Sequence, residues 1–150
     1  MTAPQDLFVS EQHSVSRRWA VVEDDGRSAW LYLSEPGAPK PVADCWLYNR
    51  VATPAQLDTQ AVVRGESPIV PATHASESAT FSPPAQQSVH FRWSHDGESV
   101  AVFFDAGLIG FIARGQARGF SKHLRAPGPF GSPLDAELFE RVFTNNDHAA

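Results

Sequence analysis

The segment from Val89 to Arg114 constrains the fold more than any other. Three β-prone runs, Val89-His-Phe-Arg-Trp-Ser, Ser99-Val-Ala-Val-Phe-Phe and Leu108-Ile-Gly-Phe-Ile-Ala, are joined by His95-Asp96-Gly97 and Asp105-Ala-Gly107. Connections this short join antiparallel neighbours, because a parallel crossover needs about a dozen residues or more. The pattern therefore predicts a meander, with glycine supplying the positive φ of its turns.

A second hairpin is predicted from Arg18 to Ser34, where β-prone runs flank Asp25-Gly26. A tight turn of this kind accepts Asp and Gly cheaply. Glu35-Pro-Gly-Ala-Pro then imposes a loop. Val42 to Val51 reads as a further strand, with Cys45, Leu47 and Asn49 on one face and Asp44, Trp46, Tyr48 and Arg50 on the other. Residues 52–88 contain Pro54, Pro68, Pro71, Pro83 and Pro84 and keep no strand or helix period, so a long, mobile loop is expected. Within it Gln60-Ala-Val-Val-Arg could add an edge strand. Leu134, Leu138, Phe139 and Val142 recur at helical spacing. They predict a helix from Pro133 to Thr144, with Ser132 as its N-cap and acids in its first turn. The expected class is α+β and β-rich: one antiparallel sheet of about five or six strands with the C-terminal helix packed on one face.

The length of 150 residues suits a single domain, with residues 1–16 expected to be flexible. An apolar fraction of 42%, with four Trp and ten Phe, is ample for a core. The net charge of −5 disfavours nucleic acid and anionic membranes and favours an electropositive partner. Cys45 is the one cysteine, so no intramolecular disulfide forms and a reducing, cytoplasmic location is expected. The N-terminus lacks the basic start and apolar middle of a signal peptide, and no window approaches the roughly 18 apolar residues of a membrane span.

Three motifs in order, Val21-Val-Glu-Asp-Asp-Gly26, Asp44-Cys-Trp-Leu-Tyr-Asn49 and Trp93-Ser-His-Asp-Gly97, resemble a bacterial family of small proteins classed as a domain of unknown function. The resemblance spans about Arg18 to Phe130. It departs in Gly119-Phe-Ser-Lys-His-Leu-Arg, where the family's cysteine is absent and its charge reversed. It implies a fold and a bacterial origin and carries no catalytic residue onto this chain.

No catalytic residue, metal ligand or cofactor is assigned by the sequence. Glu23, Asp24 and Asp25 resemble a cation-binding cluster, yet the turn accounts for Asp25, and solvent for Glu23 and Asp24. Trp93-Ser-His-Asp-Gly is one copy of a blade-like motif, whereas a propeller repeats it. His74, His90, His95 and His123 lack zinc-type spacing, and Cys45 sits mid-strand, where an inert thiol is expected. Two surfaces remain. Glu23, Asp24, Asp25, Trp30 and Tyr32 combine acids and aromatics as interaction surfaces do. Arg114, Arg118, Lys122 and Arg125 form a basic stretch suited to an anion. The corresponding functions are a non-catalytic protein-interaction module, such as an immunity or accessory protein, or a small-molecule or anion-binding protein or enzyme with its site under residues 52–88.

Overall fold

The structure is a computed structural model that describes residues 7–66, 68–81 and 83–144. In place of the single sheet expected, the strands form two. Strands β1 (Leu7–Gln12), β2 (Trp19–Asp24), β3 (Ser28–Ser34) and β4 (Pro41–Asn49) make a four-stranded antiparallel sheet in sequence order. Strands β5 (Val89–Trp93), β6 (Val100–Phe104), β7 (Gly107–Ile112), β8 (Phe120–Ser121) and β9 (Ser132–Pro133) make a five-stranded one, antiparallel except for the β8–β9 pair.

The sheets share one core because each presents an apolar inner face that only the other can bury. Ala20, Val22, Leu31, Leu33, Cys45 and Leu47 meet Val100, Val102, Ile109 and Ile112, flanked by Phe91, Trp93 and Phe104. Each large aliphatic side chain so buried contributes about 1.5–3 kcal/mol. The crossing of β4 over the second sheet is close. Gly119 donates its N–H to Asp44 O at 2.8 Å, and a Cβ at Gly119 would lie 2.6 Å from Phe111 O.

All three predicted hairpin turns are present, but at Asp105-Ala-Gly107 it is Asp105, with φ of 54°, rather than the glycine that takes the positive φ. Gly26 and Gly97 have φ of 90° and 72°, and Asp96 Oδ1 accepts from Ser94 Oγ and from the Glu98 N–H. Leu7–Gln12, expected to be flexible, is instead strand β1, paired along its length with β2. Residues 1–6 of that expectation lie outside the described residues.

In β4 the expected alternation holds to Leu47 and then breaks. Ala29 pairs with Tyr48 but Trp30 with Trp46, so Leu47 is the extra residue of a bulge. Tyr48 is thereby turned into the inter-sheet core and Asn49 toward the loop on the opposite side.

Residues 52–88 are more structured than their composition suggested. Thr59–Val63 is a helical turn, α1, rather than an edge strand, and Asp58 caps it by accepting from the Ala61 N–H. Val70, Ala75 and Ala79 are buried against Trp30, Trp46, Leu124 and Phe130 on the outer face of the first sheet. The C-terminal helix is shorter than predicted: α2 spans Ala136–Phe139 and continues as a π-helical turn, Glu140–Thr144. Asp135, rather than Ser132, caps it, accepting from the Leu138 N–H, because Ser132 and Pro133 are consumed by β9. The helix does cover one sheet face. Phe139 and Phe143 pack edge-on to Phe111, which stacks on Phe120 at 4.9 Å.

Candidate functional site

The outer face of the first sheet carries the chemistry. Strand alternation puts Phe8 on β1, Trp19, Val21 and Glu23 on β2, Trp30 and Tyr32 on β3, and Asp44 and Trp46 on β4 on that face. Residues 52–81 and Phe130 cover Trp30 and Trp46, leaving the rest in two clefts that meet at Tyr32.

The first cleft lies beside α1 and holds about 270 Å³. Trp30, Tyr32, Leu57, Val62 and Phe130 supply apolar walls, and an ion pair borders them. Arg118 Nη1 donates to Asp44 Oδ2 at 3.0 Å, and its Nε donates to Pro129 O at 3.1 Å. Asp44 Oδ1 is sealed from solvent with no hydrogen-bond partner among the described residues. Burial raises the Asp44 carboxyl above the usual carboxylate range, against the opposing pull of Arg118. Trp30 is fixed through Ser28: its Nε1 donates to Ser28 Oγ at 2.9 Å, which in turn donates to Pro68 O at 2.8 Å.

The second cleft, about 440 Å³, is an open groove along Phe8, Trp19, Val21, Glu23, Tyr32, Pro39 and Pro41. Phe8 is 60% exposed. Glu23 is the one acid that lines the groove among the described residues. The Tyr32 hydroxyl is pushed up to about 12 by burial first and then by Glu23, Asp44 and Asp25.

Of the acidic and aromatic residues singled out in the sequence, Glu23 and Tyr32 line this groove and Asp25 is exposed at its neighbouring turn. Trp30 shares the face but is covered. Asp24 does not lie in solvent. It is 1% exposed and accepts from Tyr48 Oη at 2.7 Å, Arg50 Nη1 at 2.9 Å and the Gly26 N–H, so it is a structural carboxylate.

The basic stretch is dispersed. Arg114 pairs with Asp96, Arg118 with Asp44, and Arg125 donates twice to Ala72 O, while Lys122 is exposed beyond β8. Arg118 alone of them lines the first cleft. Cys45 is fully buried, and burial raises its thiol well out of the nucleophilic range. His123 is buried against Leu47 O, its Nδ1 at 2.8 Å, and Phe81. Among the described residues no three His, Cys, Asp or Glu side chains could hold a metal, and no helix is long and apolar enough to cross a membrane.

Sequence reasoning missed Phe8, Trp19, Val21 and the walls Leu57, Val62 and Phe130. The alternation Trp19, Val21, Glu23 was legible as one face. Leu57 and Phe130 come from irregular chain and Val62 from the five-residue α1, too short to leave a periodic signal. No family model, curated protein or solved structure matches the chain.

Proposed function

We propose that the protein is a non-catalytic interaction module of bacterial, cytoplasmic type that docks a basic, apolar polypeptide segment on the outer face of its first sheet. The observation that carries this reading is the open groove of Phe8, Trp19, Val21 and Tyr32 with Glu23 in its wall. Aromatic side chains bury large area at low entropic cost, and charge at the margin selects the partner. Glu23 in the groove wall, with Asp25 at the neighbouring turn, favours Lys or Arg in that partner, as does the net charge of −5. The buried thiol of Cys45 suits a reducing compartment. The motif resemblance to a bacterial family belongs to the same proposal.

Panning a random displayed-peptide library on the protein tests it. Enriched sequences are expected to combine Arg or Lys with apolar residues and to lose at least tenfold in affinity on Glu23→Lys or Val21→Arg. Binders indifferent to both changes would overturn the reading. The alternative, a small-molecule site under residues 52–88, draws its support from the cleft beside α1 with its Asp44–Arg118 pair.

A further inference from the structure

The polar groups bordering the first cleft have unequal unmet valences. Arg118 uses Nε and Nη1, and no described residue engages its Nη2. The Tyr32 hydroxyl faces the cleft and bonds no described residue, whereas Asp44 Oδ1 is closed to solvent and likewise without a partner. One carboxylate, one guanidinium and one phenol thus border an apolar space that no described side chain fills.

We infer that this cleft is a binding site for a small zwitterion with an apolar side chain, of the class of a free aliphatic or aromatic α-amino acid. The inference deepens the ligand-site reading and does not depend on the docking groove. A lone anion would meet Asp44, and a lone cation would meet Arg118. A neutral hydrocarbon would leave the polar groups unfilled, at the cost of burying them without partners. A zwitterion answers each: its carboxylate accepts from Arg118 Nη2 and Tyr32 Oη, and its ammonium donates to Asp44 beside the aromatic walls. The bound dipole opposes the dipole of the ion pair.

Arg118 is the movable partner, its side chain 53% exposed against 26% for Asp44. Its withdrawal toward the ligand carboxylate frees Asp44 Oδ2, which it now holds at 3.0 Å, for the ligand ammonium. Size sets the side chain. A volume of about 270 Å³ admits an aliphatic side chain the size of leucine's. Leu57, Val62, Pro68 and Phe130 then take the side chain.

Isothermal titration with L-leucine, with isocaproate, which lacks the ammonium, and with isoamylamine, which lacks the carboxylate, tests the inference. L-leucine is expected to bind at least tenfold more tightly than either analogue. Arg118→Ala should weaken L-leucine at least tenfold while leaving isoamylamine no weaker, and Asp44→Asn should weaken L-leucine and isoamylamine together. Val21→Arg, in the docking groove, should leave all three unchanged. Equal affinity for the three compounds, or L-leucine binding indifferent to Arg118→Ala, would overturn the zwitterion and leave a ligand site of other chemistry. No heat from any of them up to about 10 mM would overturn the ligand site itself. Unchanged melting of Arg118→Ala separates loss of the site from loss of the fold.

Discussion

Gly97 has φ of 72°, and a Cβ there would fall on the His13 ring and 2.6 Å from Ser16 Oγ. Both the backbone and the space therefore demand glycine. Gly97→Val is expected to destabilise the protein by about 2 kcal/mol or more, read as a lower urea midpoint at unchanged slope. An unchanged midpoint would contradict the packing of the β1–β2 loop on this turn. His123 gives a pH dependence. Burial, and to a lesser degree Lys122, lower its imidazole, against the pull of Leu47 O. The folded state therefore prefers the neutral ring, and the unfolded chain takes the proton first, near its ordinary value of about 6.5. The stabilisation is complete above that pH and is lost as pH falls through it. Melting temperature should drop between about pH 7.5 and about pH 5.5, and His123→Asn should flatten that drop. Parallel curves for the two proteins would remove His123 as the cause. Gly26 and Gly97 were legible residue by residue, because a local conformation demands them. The burial of Asp24 was not. Its partners Tyr48 and Arg50 are distant in sequence, and a carboxylate in a turn-like stretch reads as solvated until they are brought to it.

At the scale of elements, β2 to β7 were legible because their period and turns are local, whereas β1 and the two-residue β8 and β9 were not. Leu7–Gln12 alternates weakly and is defined by pairing with β2. The bulge at Leu47 is a tertiary matter too, since it reconciles Tyr48 in the core with Asn49 in the loop. Asn49 is what ties residues 52–81 down. Its Nδ2 donates to Val70 O at 2.9 Å, its Oδ1 accepts from the Val70 N–H and from Trp46 Nε1, and its backbone bonds Ala79 and Phe81. Composition alone read this stretch as loose, and the clamp lies outside it. Asn49→Ala should raise the rate of limited proteolysis within residues 52–69 at least tenfold, while β5 to β7 keep their amide protection. Equal loss of protection in both would mean that the clamp holds the whole fold rather than the loop.

For the whole molecule, two apolar-faced sheets solve the burial problem that a single sheet with one helix would have left open. The second sheet is covered on both faces, by the first sheet and by the C-terminal helix, whereas the first keeps an open strip along Phe8, Trp19, Val21 and Tyr32. That asymmetry is the basis for assigning the docking surface. Part of the candidate site was legible, as Glu23 and Tyr32 were singled out by chemistry. Phe8 and the cleft walls arrive from other elements and were beyond local reading. A photoreactive amino acid incorporated at Val21, with Glu77 on the loop as the control position, measures the assignment most directly in the host cell. The expected result is a discrete protein adduct from Val21 that is absent from Glu77 and is diminished by Glu23→Lys. Equal adducts from both positions, or none above background from Val21, would contradict docking on this face.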